Sequence, residues 1–220
     1  MKSLKIINIV IGIMFIVASG LSAASPTERG ALMVLYNSTD GANWSNYANW
    51  GNGDPCTQNW YSVTCDGIGN VVGLQLYNNN LRGTIPTEIG QLTNLSALYL
   101  SNNSLSGTIP IEIGQLTNLS ALYLFNNSLR GTIPTEIGKL TNLSALYLFN
   151  NSLSGTIPTE IGQLTNLSSL ELTYNCNLNS DDIDVQVFID GVGPGTYQDI
   201  LDTNKHNCSN MAPIIMYLLN

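Results

Sequence analysis

The chain has 220 residues, with seven lysines and arginines against fifteen aspartates and glutamates, one histidine and a formal charge of −8. That sign repels phosphate backbones and anionic lipid surfaces, which argues against nucleic acid as a partner. Charged residues make up only 10% of the sequence, so the solvent face has to be built mainly from Asn, Ser, Thr and Gly.

At the N-terminus Lys2 and Lys5 precede an apolar run over residues 6–18, which ends in the small residues Ser22, Ala23 and Ala24. This is the pattern of an export signal over residues 1–24, with cleavage after Ala24 or Ala23. An uncleaved anchor is the alternative, but the run is shorter than the ~20 apolar residues of a membrane span. Loss of the signal leaves five basic residues against fifteen acidic ones, a formal charge of −10, and no segment for stable membrane insertion. The expected location is secreted or extracellular, with periplasm or cell surface for a bacterial source.

Residues 25–70 read as an N-terminal cap. Ser25, Pro26 and Glu28 combine an N-cap serine, proline at the first helical position and glutamate at the capping-box position, so a helix is expected to about Tyr36. Leu32, Leu35 and Tyr36 give it an apolar side. A turn-rich segment with Trp44, Trp50, Trp60, Cys56 and Cys65 follows. The tryptophans are expected to pack over what comes next, with sugar binding as the alternative.

From residue 71 to 178 the sequence repeats itself. Leu74, Leu98, Leu122, Leu146 and Leu170 are 24 residues apart, and the text TNLSALYL, an Asn-rich turn and LxGTIPxEIGxL recur around them. In LYL two leucines flank a tyrosine, so a short strand points Leu98 and Leu100 inward and Tyr99 outward. Leu95, Leu105, Ile109, Ile113 and Leu116 complete the inward set, and only stacked rungs bury it. Gly83, Gly107, Gly131 and Gly155 permit turns, and Pro86, Pro110, Pro134 and Pro158 fix the chain beside them. The glutamates Glu88, Glu112, Glu136 and Glu160 form a solvated outer column.

Such a fixed period is the mark of a solenoid, and its text resembles the plant-type leucine-rich repeat. The segments STDGANW, DPC and NWYSVTCD resemble the N-terminal cap of the same proteins. The resemblance implies an α/β repeat: five rungs, parallel strands on the concave face and disulfide-closed caps. It also implies that Asn79, Asn103, Asn127, Asn151 and Asn175 form an internal ladder pairing backbone groups that the turning chain leaves open. Relatives of this kind include receptor ectodomains and inhibitors of wall-degrading enzymes, so the implied activity is recognition of an extracellular protein, peptide or glycan.

Beyond Leu172 the pattern lapses, since Asn177 stands where earlier rungs have Leu81, Leu105, Leu129 and Leu153. Residues 179–220 read as a C-terminal cap and tail, with a capped helix from Ser180 and an apolar end over 214–219. All four cysteines bracket the repeats. In an exported chain they read as two disulfides, Cys56–Cys65 and Cys176–Cys208, because each pair lies within one cap. Zinc is the rival, but the ligand spacing is wrong and His206 is the lone histidine. No metal or other cofactor is expected.

No catalytic constellation is visible. His206 lies two residues from a cysteine expected to be oxidised, and the regular glycines belong to the repeat rather than to a phosphate cradle. The candidate site is therefore the open strand face. One row carries Gln75, Tyr99, Tyr123, Tyr147 and Glu171; a second carries Tyr77, Ser101, Phe125, Phe149 and Thr173. Six exposed aromatics on about 20 Å of sheet mark a ligand face, and duplication of nearly identical rungs is the alternative origin of the rows. Ice binding or a structural, adhesive role is a further reading, carried by the threonine column Thr84, Thr108, Thr132 and Thr156.

Overall fold

The computed structural model describes residues 22–179 together with Ile189 and Gly191. The export signal, the helix from Ser180 and the Cys176–Cys208 bridge lie outside the described residues. Helix α1 covers Pro26–Ser38, two residues beyond the expected end. Its capping box is present: Glu28 N donates to Ser25 Oγ (3.1 Å) and Ser25 N to Glu28 Oε2 (3.0 Å). Glu28 is only 4% exposed, and its other oxygen accepts from Val71 N at 3.0 Å. One buried carboxylate thus caps the helix and receives the first repeat strand, which is how the cap is set against the stack.

The inner sheet has six strands. Val63–Cys65 runs antiparallel to Val71–Gln75, after which Ala97–Tyr99, Ala121–Tyr123, Ala145–Tyr147 and Ser169–Glu171 add in parallel, in chain order. The register is one rung throughout, with Leu98 opposite Leu122 and Leu122 opposite Leu146. These leucines and their inward neighbours form a single buried core that runs from Leu32 and Leu35 of α1 to Leu178. Opposite the sheet each rung closes through a short 3-10 helix, as at Ile111–Gln115.

The asparagines act between rungs. Asn127 Oδ1 accepts from Leu105 N of the preceding rung (3.0 Å), while its Nδ2 donates to Leu100 O and Leu124 O (3.0 Å each). Asn103, Asn151 and Asn175 repeat the pattern. Asn79 has no earlier rung; there the cap takes over, with Asn46 N donating to Asn79 Oδ1 and Asn79 Nδ2 to Asn46 O. Cys56 and Cys65 are joined as a disulfide within this cap. Trp44, Trp50 and Trp60 are buried in it, each donating its indole N–H to a backbone carbonyl, which makes them packing rather than a sugar platform.

At the far end the strand Asn175–Asn179 pairs with Asn151–Thr156. The register shifts between Asn175 and Asn177, so Asn177 lies opposite Ser154 and Leu178, buried, falls opposite Gly155. Counting by 24 puts Asn177 in the leucine slot, yet Asn177 is exposed and Leu178, set opposite Gly155, is the residue that enters the core.

Glycine is also needed where rungs touch. A Cβ at Gly114 would stand 2.6 Å from Glu136 O of the next rung, whereas at Gly30, exposed on α1, it meets nothing within 4 Å among the described residues. Gly114→Ala is expected to lower stability by about 1–3 kcal/mol, an overpacking cost, while Gly30→Ala, inside a helix, is expected to be neutral or stabilising. Thermal melts of the two variants check this, and equal loss in both would show that close approach of rungs is not the reason for the glycine.

Candidate functional site

The outward residues of the inner sheet fall in the two expected rows, but the rings pack on one another. Tyr99, Tyr123 and Tyr147 are stacked, with centroids 4.4 and 4.6 Å apart and planes within 10°. Phe125 and Phe149 stack at 4.5 Å and 8°. These separations match the ~4.8 Å spacing of adjacent strands, so equivalent rings on successive rungs are placed face to face by the backbone itself. The rows are tied together by Tyr123 against Phe125 at 6.3 Å.

Stacking corrects the expectation of six exposed aromatics. Of the six, only Tyr77 is exposed, at 54%; Tyr99, Tyr123, Tyr147, Phe125 and Phe149 are half-buried, because each ring covers its neighbour. The face therefore presents ring edges and phenol oxygens rather than open ring faces. Burial pushes the Tyr123 phenol up from its ordinary pKa, with Tyr99 and Tyr147 adding to the shift. At the C-terminal end Tyr147 Oη and Ser169 Oγ are 2.9 Å apart, and Glu171 accepts from the N–H and hydroxyl of Thr173.

Beside the rings runs a ladder that the sequence did not reveal. Ser120 Oγ donates to Ser96 O (2.8 Å) and Ser144 Oγ to Ser120 O (2.9 Å), with Ser96 and Ser168 continuing it at either end. These hydroxyls are engaged within the protein, so the edge of the face is small and closed rather than hydrogen-bonding. The recurring Ser-Ala pair between the leucines was the only available signal.

Two other surfaces recur with the repeat. On the flank, Ser104, Ser128 and Ser152 lie exposed alongside the threonine column. Below that column is an outer groove of about 750 Å³, with Thr132, Ile133, Pro134 and Glu136 among its lining residues. Among the described residues no three His, Cys, Asp or Glu side chains are grouped to hold a metal, and no helix is long and apolar enough to cross a membrane.

A family model for a leucine-rich repeat region matches residues 56–187, and one for a leucine-rich-repeat N-terminal domain matches 25–66. A probable leucine-rich repeat receptor-like protein kinase of Arabidopsis thaliana is 40% identical over 65 residues, 30% of this chain and 6% of that protein. The chain thus spans a small part of the curated relatives it matches. Among solved structures, PEPR1–AtPEP1 has a TM-score of 0.62 at 32% identity, covering 70% of this chain and 22% of that one. The ectodomain of the receptor kinase SOBIR1 from Arabidopsis thaliana gives 0.55 at 25% identity, covering 73% and 99%. A plant ice-binding protein gives 0.50 at 28% identity, covering 73% and 58%. With its period, its inward leucines and a repeat model spanning more than half its length, the chain belongs to the leucine-rich-repeat proteins and carries their N-terminal cap domain.

Proposed function

We propose that the chain is a secreted, non-catalytic recognition module that loses residues 1–24 on export and binds an extracellular peptide or a short protein segment on the open face of its inner sheet. The observation that carries this is the double aromatic row, Tyr99–Tyr123–Tyr147 and Phe125–Phe149, held in register by three successive short strands. The strip is too small for a standard protein interface of about 800 Å² per partner, and an extended peptide needs less. Sugars pack on open ring faces, which stacking here removes, so a glycan is the weaker ligand. The likeness to PEPR1–AtPEP1 and to the SOBIR1 ectodomain fits a binding module. Residues 25–70 act as the front cap, 71–178 as the rungs, and 179–220 as the rear cap with the Cys176–Cys208 bridge.

Capture with the mature chain from extracellular proteins and peptides, run beside wall glycans, tests the reading. Retention of a peptide or protein supports it, and retention of glycans alone overturns it.

A second reading, ice binding, is favoured by the repeated hydroxyl columns on the flank and by the likeness to a plant ice-binding protein. Two features weigh against it. Arg82 and Arg130 alternate with Ser106 and Ser154 between the hydroxyl columns, and the threonines border a groove rather than a flat plane. Ice recrystallisation assays separate the readings.

A further inference from the structure

The outer groove departs from the repeat at one place. On three of the 3-10 turns a threonine precedes the glutamate, and the hydroxyls of Thr87, Thr135 and Thr159 donate to Glu88, Glu136 and Glu160 at 3.2, 3.3 and 3.3 Å. On the turn between the first two of these the position is Ile111, and its side chain is 58% exposed. The neighbouring carboxylate loses its donor there: Glu112 has no hydrogen-bond or ionic partner among the described residues.

Ile111 lines the groove with the buried Ile133, Pro134, Ile157 and Pro158, and Glu136 and Glu160 stand on its wall. At about 750 Å³ the groove has the size of a ligand pocket. An isoleucine open to water beside an apolar floor gains free energy from cover.

Charge decides what that cover is. The four turns carry Glu88, Glu112, Glu136 and Glu160 against one cation, Lys139. A second copy, itself at −10 once the export signal is lost, is repelled as a whole, and so is any anionic glycan or lipid. The chain's own apolar end over 214–219 has no lysine or arginine to offer. A partner that joins an apolar side chain to cations answers both the floor and the wall.

We propose that the outer groove is a second docking site, for a segment of another extracellular protein that sets an apolar side chain against Ile111, Ile133 and Pro134 and lysine or arginine against Glu112, Glu136 and Glu160. It is separate from the inner face and does not depend on the reading of that face.

The test is selection from a displayed library of random decapeptides by the mature chain, followed by affinity measurement on the parent and three variants. Ile111→Thr installs the residue that the other turns carry, so the fold is kept while the exposed apolar group is lost. Glu112→Gln with Glu136→Gln and Glu160→Gln removes the charge at constant shape, and Tyr123→Ala with Phe125→Ala reports on the inner face. Expected is a class of peptides rich in Lys or Arg together with Leu, Ile or Val, held about fivefold more weakly by the first variant and about tenfold more weakly by the second. That class is weakened by salt and indifferent to the third variant. Absence of the class overturns the groove; peptides lost only on the inner-face variant then leave that face as the site, and no selected peptide at all overturns both. Groove-dependent peptides that are acidic or uncharged, or whose affinity ignores salt, overturn the proposed chemistry. Sedimentation of the parent checks the remaining occupant, since self-association abolished by Ile111→Thr would put a second copy in the groove and overturn the proposal. Circular dichroism of each variant confirms the fold.

Discussion

Replacing Leu122 by Ala is expected to lower stability by about 2–5 kcal/mol. Leu122 is fully buried on the central strand, opposite Leu98 on one side and Leu146 on the other. Truncation loses the transfer energy of the removed carbons and leaves a void that the neighbours are poorly placed to fill, because each is fixed by its own rung. Rungs contact only their neighbours, so a fault in the middle cuts the stack into two short halves. Denaturant melts followed by circular dichroism measure the loss, and a cost below about 1 kcal/mol would show that the core collapses around the gap. Ligand binding by this variant is expected to fall only in step with unfolding.

Replacing Tyr123 and Phe125 together by Ala is expected to weaken binding of a captured partner by about 2 kcal/mol or more, roughly thirtyfold, with the fold retained. Both side chains sit at the centre of the rows, where a ligand would exclude water most completely. Some stability is lost as well, because Tyr123 stacks on Tyr99 and Tyr147, and Phe125 on Phe149. Aromatic contacts of this kind contribute about 0.5–1.5 kcal/mol each, so a modest fall in melting temperature is part of the expected result. Affinity equal to that of the parent, in folded protein, would move the site off this face and towards the outer groove.

The repeat was legible because its chemistry is local and recurs: leucines two apart make strands, and a period of 24 stacks them. The capping box at Ser25 and Glu28 was legible for the same reason. What the sequence withheld depends on distances between rungs. Whether Tyr123 is open or covered follows from the strand spacing, which brings the rings of Tyr99 and Tyr147 onto both of its faces. The second bond of Glu28, to a backbone N–H 43 residues away, leaves no trace in spacing. Leu178 shows the limit of counting, since the period alone places Asn177 in the core and the fold buries Leu178 instead, opposite Gly155.

The near-identity of the three central rungs turns length into a heritable dial. Excising 24 residues between equivalent positions, for instance 97–120, joins two registers that already match, so the shortened chain closes on the same leucines, the same asparagine bonds and the same caps. Each copy gained or lost changes the tyrosine row by one ring and the reach of the face by one strand. A lineage with unequal recombination at this gene would thereby sample ligands of different length without rebuilding a site, and the number of copies, more than any single substitution, would set which length is held.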